Sequence, residues 1–348
     1  MTPVKFGVVG LGYWGPNLVR NLVGLPEADM TVVCDQRAQA MESVIARYPT
    51  IRAEGDFERV LASDVDVVAI ATPIATHFEL ARAALEAGKH VFVEKPLAAS
   101  LEEGDALLRL AAERGLVLMP GHTFLYSPPV QLVKELIDTG ELGDIYFIST
   151  SRVNLGLHQS DASVVWDLGP HDFSILQHWL GEAPTHVTTL SRGCVIPDTP
   201  DVAFVNVEYA SGIVAHVELA WLAPSKLRRT TVVGSRKMVV YDDTSGEPVR
   251  VFDSGVTIRD PDSFGEFQLS YRTGDIVSPR VDASEPLSLE LADLCSAIRT
   301  GTEPRSSGRL GVDVVRVVVA AERSLREGGL RTAVDSSSAP LAESRSSS

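Results

Sequence analysis

Gly10-Leu11-Gly12-Tyr13-Trp14-Gly15 is the stretch that decides the fold, because it follows the apolar run Val4–Val9 and precedes a helical pattern. A strand, a glycine-rich turn and a helix in this order form the first unit of a dinucleotide-binding parallel sheet. The three glycines allow a tight turn, a close approach of the main chain to a pyrophosphate, and contact between helix and strand. Glycines that serve only the turn are the alternative. We expect the whole loop, including Tyr13 and Trp14, to hold a cofactor.

The pattern continues along the first third of the chain, where short apolar runs alternate with amphipathic stretches, as in a doubly wound α/β sheet. We predict a Rossmann domain over residues 1–121, with strands at 4–9, 30–34, 67–71, 90–94 and 116–119. Helices are predicted at 75–87 and 101–114. Ser100 is placed to cap the second of these helices and Gly115 to end it.

The rhythm changes after Pro120, since mostly strand-like segments follow one helix at 129–139. This predicts a second, α+β domain over residues 122–334, built on an open and mainly antiparallel sheet. Its predicted strands lie at 145–153, 185–190, 202–209, 213–220, 229–233 and 238–241, and its further helices at 172–180, 288–300 and 311–327. The serine-rich residues 335–348 have little to bury and are predicted to be a disordered tail.

Composition narrows the functional class. The 348 residues are 45% hydrophobic and 22% charged, which is typical of a soluble globular protein with two domains. A net charge of -15 argues against nucleic acid or an anionic membrane as a partner. Three scattered cysteines form no pair typical of a disulfide framework or zinc site. No membrane-spanning run or removable leader is evident, and we expect a cytoplasmic protein.

The second strand ends in a carboxylate that can choose the cofactor. Asp35 lies at the offset where a carboxylate accepts hydrogen bonds from the adenosine ribose, which favours NAD. Arg37 could accommodate a 2′-phosphate, so NADP stays possible. Thr72, Pro73 and His77 follow the strand at 67–71 and are predicted to lie near the nicotinamide half of the cofactor. His77 as an ordinary helix-surface histidine is the alternative.

Glu94-Lys95-Pro96 follows the apolar strand at 90–94 and therefore lies at the edge of the sheet where ligands bind. The Lys95 ammonium can there hydrogen-bond a substrate hydroxyl and polarise the carbonyl that forms as hydride leaves. A solvated lysine ahead of a helix is the alternative. Glu94 and Lys95 are both predicted to border the cofactor.

Asp167 and His171 form a second candidate group, four residues apart with Gly169 and Pro170 between them at a predicted helix start. The carboxylate would orient the imidazole, which takes a proton. An N-terminal helix cap is the alternative role for the aspartate. Metal was weighed because histidines and carboxylates are dense here, at His158, Asp161, Asp167, His171, Asp172 and His178. Their spacing matches no zinc pattern, and we predict that no metal binds.

These motifs together resemble the Gfo/Idh/MocA oxidoreductases, the glucose-fructose oxidoreductase and inositol dehydrogenase group, over essentially the whole folded length. The glycine loop, the Glu94-Lys95-Pro96 triplet and the pair Asp167 and His171 occur in the family's order and spacing. The resemblance implies that Lys95 and His171 are catalytic and that Asp167 is the partner of the histidine. It also implies a homodimer or homotetramer assembled through the C-terminal sheet.

A narrower resemblance concerns the substrate. Gly12-Tyr13-Trp14-Gly15-Pro16-Asn17, Gly121-His122-Thr123-Phe124 and Arg152-Val153-Asn154-Leu155-Gly156 are similar to the branch acting on nucleotide-activated sugars, such as UDP-N-acetylhexosamine or uronic acid 3-dehydrogenases and sugar 3-ketoreductases. It implies that Tyr126, Arg152 and Asn154 line the substrate pocket. The family often has Arg or Asn before Pro after the last Rossmann strand, whereas this chain has Leu125-Tyr126-Ser127-Pro128.

The sequence thus predicts an NAD(P)-dependent dehydrogenase or reductase that acts on a sugar hydroxyl or carbonyl. Three alternatives stay open: an inositol or free-sugar dehydrogenase, an NAD-dependent redox-assisted glycosidase or lyase, and a non-enzymatic NAD-sensing protein. The charged cluster argues against the sensor, which has no need of such groups in a desolvated pocket.

Overall fold

A parallel six-stranded sheet forms the first third of the computed structural model, which describes residues 2–156, 158, 162–259 and 268–335. Its strand order is β3-β2-β1-β4-β5-β6, with every pairing parallel. The strands are β1 (Val4–Val9), β2 (Ala28–Cys34), β3 (Arg52–Glu54), β4 (Val67–Ile70), β5 (His90–Glu94) and β6 (Leu118–Gly121). The predicted Rossmann sheet is confirmed, and the short edge strand β3 is an addition to it.

Helices connect these strands, and their ends follow local sequence signals. The helices are α1 (Gly15–Gly24), α2 (Ala38–Arg47), α3 (Phe57–Leu61), α4 (His77–Glu86) and α5 (Leu101–Arg114). Ser100 Oγ accepts a hydrogen bond of 3.2 Å from the main-chain N–H of Glu103. Gly115 ends α5 in the left-handed conformation, with φ of 65°. Both predicted caps of α5 are therefore confirmed.

The rest of the described residues build a nine-stranded sheet and four α-helices. The sheet order is β14-β13-β12-β11-β7-β10-β9-β8-β15. Its strands are β7 (Ile145–Val153), β8 (Pro184–Arg192), β9 (Val202–Tyr209), β10 (Val214–Ala220), β11 (Leu227–Gly234), β12 (Met238–Asp242), β13 (Val249–Arg259), β14 (Gln268–Val277) and β15 (Thr332–Ala333). The helices are α6 (Pro128–Asp138), α7 (Val164–Leu180), α8 (Pro286–Thr300) and α9 (Gly308–Arg326). Only β7 and β10 pair in parallel, so the expected mainly antiparallel sheet is confirmed among the described residues.

The start of α7 corrects the sequence prediction. The helix begins at Val164, eight residues before the predicted start, and Asp167 and His171 lie inside it rather than in a turn. Ser163 caps the helix by accepting from the N–H of Trp166 at 3.4 Å. Pro170 lies within the helix, where it removes one main-chain donor without ending the element. Strands β13 and β14 were also not predicted.

The last two helices, α8 and α9, pack against the Rossmann half of the molecule. Helix α9 packs against α5 and β6, and α8 packs against α1. Val312 and Val315 of α9 share one buried cluster with Leu107, Ala111 and Leu118 of the Rossmann half. A second cluster runs without a break from the first sheet to the second. The proposed division into residues 1–121 and 122–334 thus follows the sheets but not the helices.

Two further expectations concern the surface and the tail. No helix within the described ranges combines the length and apolar character that a bilayer crossing requires. The tail predicted at 335–348 lies outside the described residues from 336 onward.

We predict that a fragment ending at Gly121 does not fold cooperatively, because it loses the apolar cover that α9 gives to Leu107 and Leu118. A chain ending at residue 334 keeps that cover and serves as the control. Thermal unfolding and binding of a hydrophobic dye measure the difference. Cooperative unfolding of the short fragment, with dye binding as low as in the control, would contradict the shared core.

Candidate active site

The glycine loop joins β1 to α1 in the shape that a dinucleotide needs. Gly10 has a φ of +91°, and a Cβ built there would lie 2.6 Å from the carbonyl oxygen of Ala71. A Cβ on Gly15 would lie 2.0 Å from the carbonyl oxygen of Gly10. A Cβ on Gly12 would meet nothing within 4 Å, so the main chain there is open to a ligand. The loop therefore fits a pyrophosphate at the N-terminus of α1.

Two exposed aromatic residues follow on this loop. Tyr13 is 86% and Trp14 39% exposed, and their rings meet edge to face at 5.7 Å between centroids. Both lie where the bound cofactor is expected.

Asp35 at the end of β2 is tied to the glycine loop. Its carboxylate accepts hydrogen bonds from the N–H of Leu11 at 2.6 Å and from the N–H of Arg37 at 2.8 Å. The Arg37 guanidinium also contacts both carboxylate oxygens. Burial opposes ionisation of Asp35, but these hydrogen bonds outweigh it and lower its pKa to about 2. The Asp35 carboxylate is therefore ionised at neutral pH, and it lies at the end of β2, where the adenosine of a dinucleotide is expected to bind.

His77 corrects one prediction, because its ring does not face a ligand. It is 1% exposed, and its Nδ1 and Nε2 each lie 2.9 Å from a main-chain carbonyl oxygen, of Pro96 and Thr72 respectively. Burial lowers the pKa of this imidazole. His77 therefore links the loop after β4 to the loop after β5. Thr72 and Pro73 stay at the sheet edge, where Thr72 Oγ1 lies 2.7 Å from Thr76 Oγ1.

Lys95 lies directly after β5 and reaches across to α7. Its Nζ donates a hydrogen bond to the main-chain carbonyl of Asp167 at 2.7 Å and lies 3.4 Å from that residue's Oδ1. The other carboxylate oxygen, Oδ2, accepts from Nε1 of Trp221 at 3.0 Å. Asp167 was predicted to hold His171, but within the described chain its carboxylate partners are Lys95 and Trp221. The ammonium is therefore fixed at the junction of the two sheets.

His171 lies one helical turn beyond Asp167 in the same pocket. Its ring packs edge to face on Phe124, with 5.0 Å between centroids, and its Nδ1 is buried without a hydrogen-bond partner among the described residues. Burial, followed by the positive charges of Lys95 and Arg152, lowers the pKa of His171 well below 6.5. The imidazole is neutral near neutral pH and can accept a proton.

Arg152, predicted to contact substrate, is instead committed to an internal ion pair. It is 4% exposed, and its Nε lies 2.5 Å from Oδ2 of Asp172. Thr150 Oγ1 donates to the other oxygen of Asp172 at 2.9 Å. The guanidinium also covers the ring of Phe124 at 4.5 Å. Arg152 thus positions the wall of the pocket through Phe124, on which His171 packs.

Tyr126 is a second correction among the predicted substrate residues. It is 2% exposed; its hydroxyl donates to Oδ2 of Asp293 at 2.7 Å and accepts from the N–H of Ser306 at 3.0 Å. Burial raises its pKa far above the usual range. The ring therefore braces the turn after β6 against the C-terminal region. Asn154 is half-buried in the segment after β7, and its side-chain amide lies beside Gly156.

Two buried polar residues, His122 and Glu290, were not predicted as site residues. His122 is 1% exposed, and neither ring nitrogen has a hydrogen-bond partner within the described chain. Burial, with the Lys95 charge, lowers its pKa to about 3. Burial also raises the pKa of Glu94 to about 7, and fully buried Glu290 accepts from Thr123 Oγ1 at 2.7 Å. The signal for His122 was its place directly after a Rossmann strand, as for Lys95.

Metal coordination has no support among the residues that the structure describes, because none of their histidines, cysteines and carboxylates gather in threes. Asp161, weighed as a ligand, lies outside those residues. The absence of a metal therefore stays a prediction.

Comparison with known families identifies both halves of the chain. A model described as "Oxidoreductase family, NAD-binding Rossmann fold" matches residues 4–122. A model described as "GFO/IDH/MocA C-terminal domain" matches residues 130–240. The first description agrees with the glycine loop and Asp35, and the cofactor is NAD, with NADP possible.

Known relatives are distant but span most of the chain. The chain is 27% identical to the inositol 2-dehydrogenase of Rhizobium meliloti over 336 residues, 93% of this chain and 97% of that protein. It is 29% identical to the UDP-N-acetylglucosamine 3-dehydrogenase of Acidithiobacillus ferrooxidans over 233 residues, 67% of this chain and 72% of the relative. A solved structure of the latter enzyme superposes with a TM-score of 0.79 at 25% identity, covering 94% of this chain and 99% of that one.

We predict that Tyr126→Phe lowers stability by about 1–3 kcal/mol, since it leaves Asp293 and the Ser306 N–H without their buried partner. The Michaelis constant for substrate should not change, because the buried hydroxyl is already paired within the protein. Urea unfolding and steady-state kinetics measure the two effects. A raised Michaelis constant with unchanged stability would contradict this prediction and show that Tyr126 contacts the substrate.

The buried His122 should make stability depend on pH. Its pKa is about 3 when folded and 6.5 in the reference state, so in that window the unfolded chain binds a proton that the folded chain does not. Stability therefore falls by about 1.4 kcal/mol for each unit that the pH falls, from this residue alone. We expect His122→Phe to lack this contribution in urea unfolding at about pH 4 to 6. Equal slopes in both proteins would show that His122 is not buried as a neutral ring.

Proposed function

Since the chain belongs to the Gfo/Idh/MocA family of NAD-dependent oxidoreductases, we propose that it transfers hydride between the nicotinamide and a carbon of a nucleotide-activated sugar. The reaction is the oxidation of a ring hydroxyl or the reverse reduction of the ketone, as in 3-dehydrogenases and 3-ketoreductases. The observation that carries the proposal is the contact between Lys95, at the carboxyl end of β5, and Asp167, which lies one helical turn before the buried His171 in α7.

Lys95 is proposed to bind the oxygen of the reacting group. Its ammonium has one hydrogen bond to a main-chain carbonyl and a longer contact to the Asp167 carboxylate, so it has a further donor for a substrate oxygen. When bound, NAD supplies the hydride acceptor. The ammonium stabilises negative charge on the hydroxyl oxygen as its proton leaves.

His171 is proposed to take that proton. A buried neutral imidazole has one nitrogen free to accept, and the nearby cations Lys95 and Arg152 disfavour its charged form before substrate arrives. Negative charge that develops on the substrate oxygen offsets those cations and raises the proton affinity of the ring. In the direction of reduction, the same imidazole returns the proton.

The substrate class rests on the relatives. The UDP-N-acetylglucosamine 3-dehydrogenase relative supports a nucleotide sugar. The inositol 2-dehydrogenase relative, similar over 93% of this chain, supports an inositol or free-sugar dehydrogenase as the second candidate. A screen of nucleotide sugars, free sugars and inositols for NADH formation separates the two. Tightly held NAD without net NADH would favour the redox-assisted glycosidase or lyase.

Assembly and compartment complete the proposal. The outer face of the second sheet exposes Phe147, Leu190, Phe204 and Val214, which supports a homodimer or homotetramer formed through this sheet. The three cysteines are unpaired, which is compatible with a reducing cytoplasm.

We predict that Lys95→Met lowers kcat by about 100- to 10,000-fold, because the substrate oxygen loses its electrostatic partner. NAD affinity should stay within about threefold, since the loop of Gly10 to Gly15 is untouched. Lys134→Met, which removes a helix-surface ammonium paired with Asp138, is the matched control. Stopped-flow hydride transfer and NAD titration by fluorescence measure both quantities, and undiminished turnover by Lys95→Met would refute the proposal.

A further inference from the structure

Two arginines face each other across neighbouring strands beside the proposed catalytic pocket. Arg152 of β7 and Arg228 of β11 are direct partners in the antiparallel register. Both guanidinium groups cover the ring of Phe124, at 4.5 Å and 5.3 Å from its centroid. Like charges placed directly opposite each other destabilise a sheet. The repulsion between the two guanidinium groups must therefore be offset by anions, either from the protein or from a ligand.

The two arginines are compensated to different degrees. Arg152 is buried and contacts Asp172 through two of its nitrogens. Arg228 has a side chain 32% exposed and one hydrogen bond to a carboxylate, from Nη1 to Oδ2 of Asp243 at 3.0 Å. Its Nε and Nη2 make no hydrogen bond to the residues that the structure describes, while a guanidinium offers five donors.

The position of Arg228 relates it to the reacting group. Phe124 separates it from His171, whose ring packs on the same phenylalanine. The charge of Arg228 also contributes to the lowered pKa of His171. A sugar ring bound at His171 would therefore lie next to the phenylalanine that Arg228 covers.

We propose that Arg228 is a specificity residue that binds an anionic oxygen group of the substrate, a carboxylate or phosphate attached to the sugar being oxidised. A planar guanidinium matches the two oxygens of such a group with paired hydrogen bonds. The inference rests on the proposed function for the position of the sugar, and it adds the charge that the sugar carries.

Matched sugars separate the two sources of the anion. UDP-N-acetylglucosamine and UDP-N-acetylglucosaminuronate differ by one carboxylate, and N-acetylglucosamine and its 1-phosphate differ by one phosphate. Binding of each to the NAD-loaded enzyme is measured by calorimetry, and kcat/KM by NADH formation. Within each pair, the charged member is the one with the additional carboxylate or phosphate, and both UDP sugars also carry the diphosphate. The quantity compared is the ratio between the charged member and its counterpart without that group.

We expect wild type to favour the charged member of at least one pair, and Arg228→Met to reduce that preference by about 10- to 100-fold. Arg228→Lys should recover part of it, since it keeps the charge without the paired hydrogen bonds. Arg229→Met is the control, because Arg229 is exposed next to Arg228 on the same strand and carries the same charge. Thermal unfolding confirms that each variant is folded.

A preference that survives in Arg228→Met, or that falls equally in Arg229→Met, overturns the inference, as does a wild type that favours the members without the additional carboxylate or phosphate. These results leave the proposed hydride transfer intact. A binding preference that depends on Arg228 without NADH from any sugar instead overturns the proposed function and supports the anion site.

Discussion

The contact of Lys95 with Asp167 is the interaction on which the pocket depends. It joins the carboxyl end of a Rossmann strand to a helix of the second half, 72 positions later in the chain. The ammonium is held by a main-chain carbonyl and a carboxylate whose other oxygen is occupied by Trp221. Because both anchors lie on ordered elements, the ammonium has a fixed position relative to the glycine loop. The proposed chemistry requires such a position.

Burial determines the charges around that ammonium. His122 and His171 are neutral because desolvation and the nearby cations disfavour their protonated forms. Burial also raises the pKa of Glu94 to about 7. It raises the pKa of Glu290 well above its usual value, so this side chain is held as the neutral acid. Apart from the Asp167 carboxylate that it contacts, Lys95 therefore lies near buried groups whose charged forms are disfavoured. A negative charge that develops on a substrate oxygen meets Lys95 in a medium of low polarity, where their attraction is strong.

The parts of the structure that could be predicted from sequence are those with local causes. The Ser100 cap, the left-handed Gly115 and the glycine loop each follow from a few adjacent residues, and the apolar run at 90–94 predicted that Lys95 follows the carboxyl end of a strand. The predicted start of α7 was wrong because Gly169 and Pro170 usually mark a helix boundary. Ser163 instead caps this helix more than one turn upstream of them. The partners of Asp167 and Tyr126 lie 54 to 180 positions away along the chain. Only tertiary packing reveals them.

We propose that Lys95 and His171 face the reactive carbon of the nicotinamide from one cavity. A crystal structure of the NAD complex tests this most directly, through the positions of Lys95 Nζ and the His171 ring relative to the nicotinamide ring. We predict that the pyrophosphate lies on the loop of Gly10 to Gly15 and that both side chains point into the space in front of the nicotinamide. A nicotinamide bound elsewhere, or either side chain turned out of that space, would contradict it.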